Sequence, residues 1–418
     1  MSELRILHTA DVHLGTPFKQ LSAQLPADFA GAVRASSEGA LKRIVDLAIE
    51  RAVDVVTIAG DLFDDTDAPV SVQYEVSRQF RRLHAAAIRV VLTHGNHDPV
   101  GHDNLFPWPE NVHVLGDGGD TPVCTNLVLP IRGWRVQFSG FSYTARELYG
   151  SQLSLFKRES DVDVAIALYH GQIGQTSTRH APYAAASVAD VIERRDFDVW
   201  ALGHVHQHQV LHENVPLVAY PGAPQGRDSS ETGPHGVLLI SVDTTRRATY
   251  EFLPTSVVEW HRFDVDVTEY TDLDAVWQAV HRRFTELGSV QHALVHLHLF
   301  GQTPLHQELA DENTHGWLQQ AIFDEAFSAW IFRFTSACEP EVDLSVWENS
   351  DGYIGELLGL LNELEAGSHE DIDMILSQLP AGEREFVQEI MQSPSAKVSI
   401  MKQSRQILLN MMKLQNND

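Results

Sequence analysis

The sequence predicts an α/β protein of layered sheets flanked by helices, followed by a small α+β unit and a helical tail. Three observations predict it. Up to about residue 250, short runs of Val, Ile and Leu alternate with segments whose apolar residues recur at helical spacing. Past a change of character at 255–265, strand and helix patterns alternate again over a stretch the size of a small domain. From residue 341 the strand pattern stops.

The elements follow in order. "LRILHTA" (4–10) reads as a strand, "EGALKRIVDLAIERA" (38–52) as an amphipathic helix, "VDVVTIAG" (53–60) as a buried strand and "VQYEVSRQFRRLHAA" (72–86) as a second helix. Strands are then expected at "IRVVLTHG", "WRVQFSG", "VDVAIALYHG", "FDVWALGH", "VPLVAYPG" and "HGVLLISVD". In the second unit "EWHRFDVDV", "HALVHLHLF" and "AWIFRFTS" read as strands, with helices at "DLDAVWQAVHRRFTEL" and "QELADENTHGWLQQAIFDEA". The tail has apolar stripes at Leu357, Leu358, Leu361 and Leu364, and at Ile407, Leu408, Met411 and Met412. It carries 14 acidic against 5 basic residues, 9 of the excess negative charges. The stripes suit packing on their own domain or docking onto a partner helix. The expected division is 1–255, 256–340 and 341–418.

Composition narrows the class. A chain of 418 residues exceeds one ordinary domain, and 43% hydrophobic with 21% charged residues is usual for a globular protein. No apolar run reaches 18 residues, and "MSELRILHTADVH" lacks a basic segment followed by an apolar one, so secretion and membrane spanning are not expected. Cys124 and Cys338 alone suit a reducing cytoplasm rather than a disulfide framework. A net charge of −27 argues against coating nucleic acid through bulk charge. The 22 histidines are an excess whose placement is informative.

Metal-competent residues recur where apolar runs stop. "TADVH" offers Asp11 and His13, "GDLFD" Asp61 and Asp64, and "GNHD" Asn96, His97 and Asp98. "LYHG" offers His170, and "GHVH" His204 and His206. Strand ends at one edge of a sheet converge, and ligands bind there. In extended backbone, residues two apart point the same way, so each closely spaced pair can reach one site. Carboxylates, imidazoles and an amide together suit Mn²⁺, Fe²⁺ or Zn²⁺, while the lack of a cysteine cluster argues against a structural zinc. Gly60, Gly95 and Gly203, just ahead of these donors, leave room for an ion. The donors are too many for one ion, and Asp61 is the natural bridge between two. Taken singly, Asp11 reads as a turn residue and His170 as a satisfied core histidine; the recurrence at successive strand ends points to a metal.

In this order and spacing, "DVH", "GDLFD", "GNHD", "HG" and "GHVH" resemble the signature of the calcineurin-like metallophosphoesterases, over residues 1 to about 250. The resemblance implies a two-sheet β-sandwich flanked by helices. It implies that Asp11, His13 and His206 hold one metal and Asn96, His170 and His204 a second, with Asp61 bridging. His97 would be the histidine beside the scissile phosphate that is not a ligand, and Asp64 would orient it. "TADVHLGTPF" and "AYPGAPQGRDSSETGPHG" (219–236) further resemble the double-strand-break-repair nuclease branch, of SbcD type and closest in layout to the YhaO-like proteins. That branch implies DNA as substrate, exonuclease and endonuclease action, Mn²⁺, a capping domain after the core, an SMC-like coiled-coil ATPase partner and a homodimer. Many nuclease relatives carry another residue at the position of Asp64.

Several residues stay open on sequence grounds. Arg227 in "PQGRD" suits a substrate phosphate or a structural ion pair. His94 has no assigned role. His208, His212 and His235 are expected behind the site or at the surface, and His296 and His298 on a solvated strand face. The runner-up function is a small-nucleotide phosphodiesterase or phosphatase using the same dinuclear site; an idle scaffold with structural metals ranks third, because His97 accompanies the ligand set.

Overall fold

A computed structural model of the protein describes residues 3–16, 25–101, 105–119, 121–174, 183–194, 196–268, 270–288, 290–325 and 327–340. The first part forms β1 (Leu4–Thr9), α1 (Ala27–Arg34), α2 (Ser36–Glu50), β2 (Val55–Ala59), α3 (Val70–Ala85), β3 (Arg89–Thr93) and β4 (Val112–Val114). There follow β5 (Cys124–Ile131), β6 (Trp134–Phe141), β7 (Val164–His170), α4 (Val188–Glu193), β8 (Val199–Gly203), β9 (Gln209–His212), β10 (Leu217–Tyr220), β11 (Gly236–Val242) and β12 (Ala248–Pro254).

Two six-stranded sheets result, ordered β12-β11-β1-β2-β3-β4 and β5-β6-β7-β8-β10-β9. β1 to β4 run parallel, as do β6, β7, β8 and β10, with antiparallel strands toward the edges. Period-two alternation divides the core into layers. Leu7, Val56, Ile58, Val90 and Leu92 face the helices, meeting Ile44 and Leu41 of α2 and Val72, Val76, Phe80 and Leu83 of α3. Ile6, Val55 and Val91 face the other way, onto Phe138, Ile166, Leu168 and Ala201 of the second sheet. The second sheet's outer face packs Tyr169, Trp200 and Tyr220 against Phe156, Val191 and Phe197. Full burial of one such side chain contributes about 1.5–3 kcal/mol. The chain is thus mixed α/β, with two sheets packed face to face, and the parallel strands bring several C-terminal ends to one edge.

The second part forms β13 (Val258–Asp266), α5 (Leu273–Thr285), β14 (His292–Gln302), α6 (Glu312–Asp324) and β15 (Ala329–Glu339), with a sheet ordered β13-β14-β15. Val258, Trp260 and Leu294 pack with Val33 of α1. His296 and His298, expected on a solvated strand face, are half-buried, and both lie 2.9 Å from Thr335 Oγ1. The chain separates into two compact units: residues 1–265, 274–299 and 311–336, and residues 266–273, 300–310 and 337 onward. In the second unit Val267 N donates to Phe300 O and Thr303 N to Glu339 O, each at 2.9 Å. The tail stripes lie outside the described residues.

Candidate metal centre

Each donor sits where an apolar strand releases the chain. Asp11 and His13 follow β1, Asp61 and Asp64 follow β2, and Asn96 and His97 follow β3. His170 ends β7, and His204 and His206 follow β8. Asp11 N donates to Gly60 O and His13 N to Asp61 O, both at 3.1 Å, so the first two loops are zipped together. The sequence leads one to expect Asp11 and His13 to converge through extended backbone. Their backbones are instead left-handed, with φ of 54° and 48°, as are Asp61 at 51° and His204 at 97°. Such conformations cost about 1–3 kcal/mol each in a residue other than glycine and cluster where function over-determines the backbone.

The side chains meet in a buried knot. His13 Nε2 and His206 Nε2 are 3.3 Å apart, with Asp61 Oδ2 3.7 Å from the first and Asp11 Oδ1 3.9 Å from the second. On the other side of Asp61, His170 Nε2 lies 3.4 Å from Asp61 Oδ2 and 3.0 Å from Asn96 Oδ1. The His204 ring stands 5.3 Å from that of His170, and its backbone N donates to both Asp11 oxygens, at 3.1 and 2.9 Å. Two glycines leave the space: a Cβ on Gly60 would strike the His170 ring, and one on Gly95 the Asp61 carboxylate.

Tautomers test whether these residues fit cations. His170 Nδ1 lies 2.8 Å from the Ala59 carbonyl oxygen and must donate to it, which in the neutral ring leaves Nε2 as an acceptor. His206 Nδ1 donates to Glu231 Oε1 at 2.7 Å, and His13 Nδ1 lies 3.2 Å from Asp64 Oδ1. With both Nδ1 atoms protonated, the two closely spaced Nε2 atoms turn lone pairs toward each other and toward buried carboxylates. Acceptors converging on acceptors fit divalent cations, and Asp61 stands between two such groups, so the residues fit a dinuclear site.

The electrostatics agree. Burial pushes the Asp11 carboxyl up. Burial would raise Asp61 too, but His170 and His13 hold it well below the usual carboxylate range. Burial drives His13 down to about 3; it also lowers His170, but the charge and hydrogen bond of Asp61, with the Asp11 charge and the Ala59 carbonyl, together lift that ring to about 9. At His170 Nε2 a cation would compete with a proton.

His97 stands at the rim. Its backbone N donates to Asp61 Oδ1 at 2.8 Å and its ring packs edge-on to His13 at 4.7 Å. The sequence leads one to expect the Asp64 carboxylate to orient His97. The structure differs: His97 Nδ1 donates to the Asp64 backbone carbonyl at 2.9 Å, while the carboxylate lies beside His13 and, at 3.3 Å, Arg227 Nη1. A loop that folds back after Asp61 brings its carbonyl to His97 and leaves the side chain beside His13 Nδ1 and Arg227. Asp98 points away from the knot and accepts from Leu62, Phe63 and Gly95 backbone N at 2.9, 3.2 and 2.8 Å, clamping two donor loops. His94 is held beside it through its backbone: its N donates to Ser142 Oγ at 2.9 Å and its O accepts from Tyr143 N at 3.2 Å.

Beyond the knot opens a cleft of about 980 Å³ lined by Asp61, Asn96, His97, His204, His206 and Arg227 among others. His208 also lines it, with Nδ1 donating to Tyr220 O at 2.9 Å, whereas His212 Nδ1 meets Pro216 O at 2.6 Å. Sequence reasoning missed Glu231, whose carboxyl burial would raise but His206 and Arg227 hold at about 2. Its signal was present in "GRDSSETG", four residues beyond Arg227. His235 was expected behind the site, and its Nδ1 donates to Ala223 O at 3.0 Å.

Two sheets with a dinuclear donor set at their strand ends define a metal-dependent phosphoesterase, and comparison with known families agrees: residues 4–208 match the calcineurin-like phosphoesterase family. The chain belongs to that family. Residues 260–338 match the middle domain of metallophosphoesterase YhaO. The chain is 31% identical to the uncharacterized metallophosphoesterase YhaO of Bacillus subtilis, over 98% of both chains. It is 24% identical to the DNA double-strand break repair protein Mre11 of Methanopyrus kandleri, over 69% of this chain and 63% of that one. It is 22% identical to the D component of the nuclease SbcCD of Bacillus subtilis, over 59% and 68%. Among the described residues no helix is long and apolar enough to cross a membrane.

Proposed function

We propose that the chain is a two-metal phosphodiesterase acting on DNA: an exonuclease, with endonuclease cleavage at the same site, that works in cytoplasmic DNA repair with an SMC-like coiled-coil ATPase. In this reading Asp11, His13 and His206 hold one Mn²⁺, Asn96, His170 and His204 the other, and Asp61 both. The observation that carries it is Asp61 lying between two sets of converging acceptors, with His97 at the rim. Bound divalent ions supply an activated water and relieve charge on the phosphate. His97 has its Nδ1 proton committed to the Asp64 carbonyl, so Nε2 is the atom that hands a proton to the leaving oxygen, from the protonated ring. The relatives named for break repair and for a nuclease support DNA as substrate, and the division 1–255, 256–340 and 341–418 separates the nuclease core, a capping domain and a partner-binding tail. The net charge of −27 favours a second reading, a small-nucleotide diesterase.

One experiment separates the readings. Purified protein with Mn²⁺ is given end-labelled duplex and single-stranded DNA and, in parallel, a small diester, with His97→Ala as control. DNA degradation that needs Mn²⁺ and falls about 10²–10⁴-fold in His97→Ala, with metal content unchanged, is expected. Diester cleavage with DNA intact, even after the ATPase is added, would favour the second reading. Loss of metal in His97→Ala would remove its proposed role.

A further inference from the structure

We propose that Arg227 is a positioning residue for the metal pair: its guanidinium joins the two carboxylates, Asp64 and Glu231, that face the Nδ1 atoms of His13 and His206. The proposal rests on the metal reading above and says how one of the two metal positions is tuned. Arg227 Nη1 lies 3.3 Å from Asp64 Oδ1, the same oxygen that stands 3.2 Å from His13 Nδ1. Arg227 Nη2 lies 3.1 Å from His206 Nδ1 and 3.9 Å from Glu231 Oε1, the oxygen that stands 2.7 Å from the same Nδ1. Arg227 backbone N donates to Glu231 Oε2 at 2.8 Å, so the main chain holds the carboxylate and the side chain adds an ion pair at 3.9 Å.

The loop that carries Arg227 and Glu231 is itself fixed. The Gln225 side chain accepts from Val257 N at 2.8 Å and donates to Val258 O at 2.6 Å. Trp260 Nε1 donates to Gly226 O at 3.1 Å. The start of β13 thus holds the peptide on which the clamp is mounted.

The physics follows from what a carboxylate does to an imidazole. A carboxylate on Nδ1–H fixes the tautomer and makes the opposite nitrogen a stronger donor to a cation. Two carboxylates placed for this purpose repel each other, and a guanidinium between them offsets the repulsion with a planar fork that a point charge cannot reproduce. His170, by contrast, has a neutral backbone carbonyl on its Nδ1. Removing the clamp is therefore felt at the position held by His13 and His206, and the position held by His170 is spared. Arg227, with both terminal nitrogens beside these groups, serves the ligands before it serves a phosphate.

The test is a Mn²⁺ titration by calorimetry and electron paramagnetic resonance on the full chain, comparing wild type with Glu231→Gln, Arg227→Gln and Arg227→Lys. Wild type should bind two ions. Glu231→Gln should weaken one of them by 10–100-fold and leave the other within about twofold. Arg227→Gln should weaken the same ion, by roughly tenfold, and Arg227→Lys should not restore it. If one variant fails to fold, the others carry the test. Unchanged affinities, or both ions weakened alike, would overturn the clamp; so would Arg227→Gln that raises KM for DNA with both ions bound as in wild type, which would make Arg227 a phosphate contact. A wild-type chain that binds no divalent ion would overturn the metal reading itself.

Discussion

At the scale of single residues, the candidate centre depends on what is absent as much as on what is present. Gly95 has no Cβ because one would overlap the Asp61 carboxylate and lie 2.7 Å from Asp61 backbone N. Backbone cannot yield as a flexible side chain does, so Gly95→Ala should displace the group that faces both cation positions. We expect Gly95→Ala to weaken Mn²⁺ binding at least tenfold, by calorimetry. Gly118→Ala is the control: nothing lies within 4 Å of its Cβ, and its binding should equal wild type. Equal binding in both variants would mean that Asp61 is not held where the cations sit.

At the scale of elements, the two sheets are joined by a polar pin that the sequence did not flag. His8 of β1 has Nε2 3.0 Å from the Leu202 carbonyl of β8 and Nδ1 3.1 Å from Thr57 Oγ1 of β2. The carbonyl can only accept, so Nε2 carries the proton and the Thr57 hydroxyl donates to Nδ1. Burial lowers the His8 pKa from 6.5 to about 4. The unfolded chain therefore binds a proton that the folded chain refuses between those values, and stability falls as pH drops from 6.5 to 4. The contribution is on the order of 3 kcal/mol. Urea unfolding of wild type and His8→Gln across this window should show a shallower pH slope in the variant; parallel slopes would exclude the pin.

At the scale of the whole molecule, charge sets the terms for a nucleic-acid substrate. The chain carries a net −27, of which the residues from 341 onward hold 9. Exposed like charge repels DNA at a range set by the Debye length, about 10 Å at 0.1 M salt. A chain ended at residue 345 should therefore bind duplex DNA several-fold more tightly than the full chain at low salt, by fluorescence anisotropy. The difference should vanish at high salt, and Mn²⁺-dependent diester cleavage should persist. Weaker DNA binding after truncation would instead give the tail a direct role in substrate binding.

Sequence by itself determined the inner strands and the residues gathered in the cleft. In the two six-stranded sheets, the eight strands named from the sequence are the interior ones, β1, β2, β3, β6, β7, β8, β10 and β11; the four it passed over, β4, β5, β9 and β12, are the edges. Interior strands are buried on both faces and write themselves as Val and Ile runs, whereas edge strands meet solvent and carry polar residues and prolines such as Pro130 and Pro254. Donor identities were legible for a related reason: a buried run that ends in Asp, Asn or His is costly unless those groups have a common partner. Only the tertiary structure decided how they meet. The left-handed turns at Asp11 and His13, the carbonyl rather than carboxylate on His97, the His8 pin and the Arg227 clamp all join residues far apart in the chain. Local pattern fixes what a residue is and which face it takes; the partner of its polar atom is set by the packing of the two sheets.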